Sequence, residues 1–562
     1  MLASRGGDAP SGEAEVQKSS RRDAGIAAAA ISAEAPISLK LDHAPMSDIT
    51  HALASGHVTA TALVEAYLAR IEAYDRDGPK LNAVRALNPD ALAIAGRLDG
   101  AEPSAERPLA GIPILVKDNI ATGDAQPTTA GSLALEGARA RDDATLVKLL
   151  REAGAVILGK ANLTEFSNML AIDMSHGFSS LGGQVKNPYA PALADDHGIP
   201  VVSPGGSSAG PAVAVAAGLC AASIGTETSG SLLFPASQNG LVTVKPTVGL
   251  ISRAGIVPIA HSQDTAGPMT RTVRDAALLL NVLAAKDPLD PATQKQRRPA
   301  DYTAGLTRDA MKGARIGVPS DHADPLNDCY YGKLPPKSAK LMTEAIQVLE
   351  DLGAVIVRAS MPTLGWIGGP GTTMAVLNRN PLSAHKGTIT RPPVVFLYEM
   401  KHDLNLYLKD WATNTDIKTM ADIVAFNEAN AGRALRFGQD HFLAAEMTRG
   451  DLSEREYKSA RAMDLLSAKT RGMDAYMSRH KLDAVLFPGA YGAAIAARAG
   501  YPSVMVPGGL VSGTDDGKDT PDYPFGITFA GRAWSEHKLL RLAYAYEQAS
   551  AKRKPLPGLP AP

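Results

Sequence analysis

Residues 203–236 read SPGGSSAGPAVAVAAGLCAASIGTETSGSLLFPA, and the reading of the whole chain turns on them. Two serines in glycine-flanked turns, Ser207 and Ser231, stand toward either end of a run of small residues. Upstream, the apolar run Ile112–Val116 within GIPILVKDN ends at Lys117. A serine hydroxyl is a weak nucleophile until a base takes its proton. A lysine is such a base only when neutral, a state that burial at the end of an apolar run favours. On residue type alone, Lys117 is equally readable as a surface lysine at a strand end, paired with Asp118.

Working outward, short apolar runs alternate with helix-like segments. Ile112–Val116, Ala155–Leu158 and Leu482–Pro488 suit buried strands. Ser47–Arg76 has helical periodicity, with Thr59 as a candidate N-cap, and Ala144–Ala153 is a helix that Gly154 stops. Gly205–Ala217 runs from a glycine-rich turn into an Ala/Val helix, Ile224–Thr226 leads into the second serine turn, and Glu536–Ala549 forms a last helix. The alternation predicts an α/β fold built on a large mixed, mostly parallel β-sheet covered by helices on both faces. Residues 41–555 read as a single domain. Within it, 287–480 is a largely helical, substrate-covering insertion, with helices over Ala339–Asp351 and Leu452–Arg479, and 556–562 is a tail. Between those helices the stretch Met361–Trp411 offers Met361, Leu364, Trp366, Met374, Phe396, Tyr398 and Trp411 either as pocket lining or as core.

The bulk composition excludes several classes. A net charge of -1 gives no global field for nucleic acid. No apolar run reaches the ~18–20 residues of a membrane span. The two cysteines, Cys220 and Cys329, are too few for a disulfide framework or a four-cysteine zinc site, and Cys220 reads as a small buried residue. The twelve histidines show no H-x-x-x-H or HExxH pair with a third ligand, so neither a metal nor any other cofactor is expected. Residues 1–40 are polar and Ala/Gly/Ser-rich. Ser20-Arg21-Arg22 ahead of Gly25–Ile31 and Ala33-Glu34-Ala35 resembles a twin-arginine export signal to the periplasm. Asp23 and the short apolar stretch depart from that pattern and suit a disordered tail on a cytoplasmic protein.

Lys117, then PGGSSAG with Ser207, then GTETSGS with Ser231, resembles the amidase signature family in order and spacing, over roughly residues 45–290 and 480–555. The resemblance implies a hydrolase of carboxylic amide C–N bonds that works through an acyl-enzyme. By position, Ser231 resembles the nucleophile, Ser207 the bridging serine that follows a cis peptide, and Lys117 the base. Backbone N–H groups of Thr228, Ser229, Gly230 and Ser231 resemble the oxyanion hole. Asp264 in SQDTAGP resembles the aspartate that braces the nucleophile loop, although a plain turn residue fits it equally. Ser208 either supports the lysine by hydrogen bonding or caps the helix from Ala209.

Two departures concern the nucleophile turn. The common family turn T-D-x-G-G-S reads here Thr226-Glu227-Thr228-Ser229-Gly230-Ser231, where a serine at 229 would strain a position needing φ > 0. Leu233 replaces an arginine that would support the turn. Both changes resemble the peptide-amidase branch, as do 182–189 (GGQVKNPY), 245–269, 403–408 (DLNLYL) and 420–427 (MADIVAFN). The expected substrate is therefore a peptide amide or a hydrophobic or aryl acylamide; the oligomeric state is not legible. Alternatives in the same family are a carbamate or ester hydrolase, and the catalytic subunit of a tRNA-dependent amidotransferase, which would need a docked partner and an ammonia route. Outside it, Gly206–Gly210 formally matches the G-x-S-x-G elbow of α/β-hydrolases with Ser208 as nucleophile, but leaves the second serine turn unexplained. Lys160 in GKANLTEF also follows a strand and is the rival base.

Overall fold

The short apolar runs become the strands of one sheet in the computed structural model, which describes residues 39–101, 103–320, 330–332, 334–361, 394–513, 521–554 and 556. In chain order they are β1 (Val84–Leu87), β2 (Pro113–Lys117), β3 (Val156–Ala161), β4 (Ala222–Glu227), β5 (Val242–Lys245), β6 (Thr265–Thr270), β7 (Arg315–Val318), β8 (Val355–Arg358), β9 (Ala484–Pro488), β10 (Ser503–Val511) and β11 (Tyr523–Ala530). Across the sheet the order is β1-β3-β2-β4-β6-β5-β10-β11-β9-β7-β8.

This is the expected large mixed α/β sheet, with a different balance of pairings. Four neighbouring pairs are parallel, in the flanks β3-β2-β4 and β9-β7-β8, and six are antiparallel. The antiparallel pairs escape a sequence reading for a physical reason. Every residue of β4, β5 and β6 is buried, so these strands carry no apolar–polar alternation to betray their pairing.

The helices follow their local signals closely. The stretch expected as one helix over Ser47–Arg76 is two, Met46–Ala54 and Ala60–Arg70, broken around Gly56 and continued by a wider turn over Ile71–Arg76. Thr59 caps the second, its hydroxyl accepting from Ala62 N at 3.1 Å. Region 287–480 carries the helices Pro336–Asp351, Val394–Asp410, Met420–Ala429 and Arg455–Asp464. It also supplies β7 and β8, so part of it belongs to the central sheet rather than to a cover. No described helix is long and apolar enough to cross a membrane. The N-terminal segment to Ser38, Cys329, Leu364, Trp366 and Met374 lie outside the described residues.

Two features position the site. First, β2, β3 and β4 are parallel neighbours, so their C-terminal ends share one edge of the sheet, where α/β proteins gather their chemistry. Second, the all-buried helix Ala209–Ala216 carries the first serine turn at its N-terminus. Its last carbonyls are held by two buried guanidiniums. Arg70 donates to Ala217 O at 2.9 Å and Gly218 O at 2.7 Å. Arg271 donates to Val215 O at 2.9 Å, Cys220 O at 3.0 Å and Ala221 O at 2.8 Å. Cys220 itself is buried and free, as its apolar surroundings suggest.

Candidate active site

Lys117 is the last residue of β2 and is fully buried. Its Nζ lies 2.7 Å from Ser207 Oγ, 2.9 Å from Thr226 Oγ1 and 3.4 Å from the Thr226 carbonyl. Burial brings its pKa from the ordinary 10.5 down to about 7, against the opposing pull of Asp264 and Glu227. The surface pairing with Asp118 is not found. Asp118 is itself buried and accepts from Arg85 Nη2 at 3.0 Å.

Ser207 follows a cis peptide bond from Gly206. Gly205 precedes it with φ of 73°, and a Cβ there would fall 2.3 Å from Pro235 Cα, so only glycine fits the turn. Ser208 sits at the N-cap position of the helix, yet its hydroxyl does not cap. It donates to Thr226 O at 2.9 Å and accepts from Thr226 N at 3.2 Å. Its support of the lysine is thus indirect, through the residue that receives the Lys117 ammonium. Thr226 and Asn119, whose Nδ2 donates to Thr226 Oγ1 at 3.0 Å, went unread in the sequence. Their signal was their place inside the GTETSGS and KDN strings.

The second serine turn lies against the first, with Ser208 N donating to Ser231 O at 3.2 Å. Ser231 is 8% exposed, enough to meet a ligand while Ser207 and Lys117 are sealed at 0%. The feared strain at Ser229 does not arise, because the left-handed conformation falls on Gly230, with φ of 89°. The loss of an arginine at Leu233 is also met. Leu233 is buried in the core, and Glu227 Oε2 accepts from Leu232 N at 2.8 Å and Leu233 N at 3.0 Å, bracing the turn from within. By contrast, the N–H groups of Thr228, Ser229, Gly230 and Ser231 take no hydrogen-bond partner among the described residues. Four successive free donors on a nearly buried loop form a cradle for an anion.

Asp264 plays both roles read for it. Its Oδ2 accepts from Ile259 N and Ala260 N, each at 2.9 Å, which closes the turn. Its Oδ1 accepts a short hydrogen bond from Thr228 Oγ1, which braces the loop. Burial pushes the Asp264 carboxyl up to about 6. Lys160 is buried too, but its ammonium donates to the Ile120 carbonyl and to Thr128 Oγ1, away from both serines. Beside Thr226 and Thr228 opens a cavity of about 380 Å³, also lined by Asn119, Asp264, Tyr407 and Trp411. Phe396 and Tyr398 are buried in the core beneath it, so of the described aromatic candidates only Trp411 faces this space.

The family model described as Amidase matches residues 62–540. The chain is 40% identical to the peptide amidase of Stenotrophomonas maltophilia, whose crystal structure superposes with a TM-score of 0.77 over 91% of this chain and 98% of that one. It is 38% identical over 525 residues to a probable amidase of Arabidopsis thaliana, covering 92% of this chain and 91% of that protein. Similarity to one subunit of the glutamyl-tRNA(Gln) amidotransferase of Salinibacter ruber, 38% identical, covers 57% of this chain and 58% of that polypeptide.

Proposed function

The chain belongs to the amidase family and is an amide-hydrolysing enzyme, and on that premise we propose that it cleaves peptide amides or hydrophobic acylamides through a relay of Ser231, Ser207 and Lys117. One observation carries the reading: a fully buried lysine, its pKa brought down to about 7, lies 2.7 Å from the hydroxyl of Ser207. An amine so depressed is neutral in a substantial share of molecules at neutral pH, and a neutral Nζ accepts the Ser207 proton where an ammonium would only donate.

Ser231 Oγ attacks the amide carbonyl carbon as its proton passes to Ser207 Oγ, and the Ser207 proton passes to Lys117 Nζ. The carbonyl oxygen takes the electron pair and is held by the free N–H groups of residues 228–231, an interaction worth about 3–4 kcal/mol per donor in such sites. The relay then runs backwards. Lys117 returns its proton through Ser207 to the departing nitrogen, the C–N bond breaks, and an ester to Ser231 remains. Water repeats the attack, gives a proton to the same relay and releases the acid with Ser231 restored.

The choice of substrate class rests on extent of likeness. Similarity to the peptide amidase spans 91% of the chain, whereas similarity to the amidotransferase polypeptide stops at 57%. The test is a panel of C-terminal peptide amides, anilides and carbamates incubated with the protein as a single polypeptide, with amine release measured. We expect peptide amides or hydrophobic acylamides to be turned over, and a fluorophosphonate probe to label the wild type but not Ser231→Ala. Turnover confined to carbamates would overturn the substrate class, and labelling that survives in Ser231→Ala would overturn the nucleophile.

A further inference from the structure

At the rim of the cavity two imidazoles converge on one carboxylate. His261 Nδ1 lies 2.9 and 3.1 Å from the two oxygens of Asp403, and His402 Nδ1 lies 2.8 Å from Asp403 Oδ1. One donor atom from each of the three residues falls within 4.8 Å of the other two. A metal ion about 2.0–2.2 Å from nitrogen and oxygen ligands holds those ligands roughly 3 Å apart. The donors already stand at such separations, with a proton where an ion would sit.

A second observation comes from the far side of His261. Glu399 is completely buried, and its Oε1 faces His261 Nε2 at 3.6 Å. Among the described residues His261 is the one cationic partner it has within ion-pair range. The carboxylate is held in place by Tyr457 Oη, donating at 2.7 Å, and Ser262 N, donating at 3.0 Å. A fixed carboxylate facing the second ring nitrogen is the outer-shell partner that metal-bound histidines usually have.

Charge argues the same way. Asp264, Asp290, Glu399 and Asp403 gather around this rim, and the arginine beside them, Arg253, is spent on a two-pronged pairing with Asp290 at 2.6 and 2.7 Å. Buried carboxylates are retained where a cation or hydrogen bonds compensate them.

We propose that His261, His402 and Asp403, with Glu399 behind His261, form a site for one divalent transition-metal ion of the zinc class. The donor set of two imidazoles and a carboxylate suits such an ion and not calcium or magnesium, which take oxygen ligands. His261 and His402 are 45% and 32% exposed, so an ion can enter from solvent and keep a position open. Local spacing could not reveal the site, because the two histidines come from distant segments. The ion would clamp the helix Val394–Asp410 to the loop 259–264, whose Asp264 holds Thr228 in the nucleophile loop.

The test uses the full chain stripped with a chelator and titrated with Zn²⁺ by calorimetry. Co²⁺ added in parallel reports coordination by its visible absorption. We expect one equivalent bound at micromolar or tighter affinity. We expect His402→Ala and the milder His402→Gln to abolish it, Glu399→Gln to weaken it by about 10–100-fold, and His537→Ala, at an exposed site elsewhere, to leave it intact. No saturable binding below roughly 100 μM, or binding unchanged in a folded His402 variant, would overturn the proposal and leave the histidines as proton donors to Asp403. Because metal binding and not turnover is read, the outcome is independent of the hydrolytic mechanism.

Discussion

Lys117 and Lys160 lie at the ends of adjacent parallel strands, and both are wholly buried. Burial lowers both, Lys117 to about 7 and Lys160 to about 8. Their surroundings part ways because of register. In the ladder Lys160 pairs with Val116, and Lys117 with Ala161. Successive side chains leave a strand on opposite faces, so that single-residue offset sends the two amines to opposite sides of the sheet. Lys117 meets the hydroxyls of Ser207 and Thr226, whereas Lys160 meets the Ile120 carbonyl and Thr128. A lowered basicity is therefore no signature of a catalytic lysine in this fold. What distinguishes the base is the serine hydroxyl that register brings to it.

The hardest blow to that contrast is Lys117→Ala. We expect kcat on a peptide amide to fall by roughly 10⁴-fold or more, as for the removal of other members of a catalytic unit, with the thermal transition still cooperative. Wild-type-like turnover in this variant would end the assignment. Next comes the pH profile. Only the neutral amine accepts a proton, so kcat/KM should rise tenfold per pH unit below an apparent pKa near 7 and level above it. About 100-fold is then lost at pH 5, and a flat profile between pH 5 and 9 would remove Lys117 as base.

Stability gives the complementary reading. The unfolded chain keeps both lysines protonated up to about 10.5 while the folded state releases them near 7 and 8. The unfolded state thus binds more protons in that window, and both lysines make stability rise with pH across it. Asp264→Asn tests the bracing of the loop. We expect kcat to drop by about 10–100-fold with KM moving far less, since the oxyanion donors belong to the transition state. The smallest effect on turnover belongs to Lys160→Met. It should leave kcat within about twofold while chemical denaturation shows a loss of about 1–3 kcal/mol, from acceptors left unpaired at Ile120 and Thr128. A kcat collapse there, in folded protein, would blur the distinction between the two lysines.

The proposed triad positions were legible because the chemistry needs side chains of fixed type near strand ends and glycine-rich turns, and such strings survive in one dimension. Thr59 as a cap and Gly154 as a stop were legible for the same reason, since each acts on its own neighbours in the chain. Pairing direction was not. The central strands are buried on both faces, and an antiparallel strand in that setting is spelled like a parallel one. β7 and β8 were hidden by brevity, with β8 at the sheet edge showing only partial burial. Glu227 could not be read as the brace of its own turn, because the partners it accepts from are backbone N–H groups with no letter in the sequence. Asp403 and Glu399 find His261 across more than a hundred residues, a distance at which periodicity is silent.

The guanidiniums of Arg70 and Arg271 have a practical consequence for anyone redesigning this enzyme. The eight-residue helix they hold is spelled AGPAVAVA, with no long side chain to fix how it is rolled about its own axis. The two forks at its far end, about 12 Å from Ser208 at about 1.5 Å per residue, set that roll and so the direction in which the serine turn leaves. A mutant library confined to codons that line the pocket would omit the screws that aim it. Arg271→Lys, which keeps the charge but loses the planar fork, belongs in any such library as a way to alter selectivity from behind.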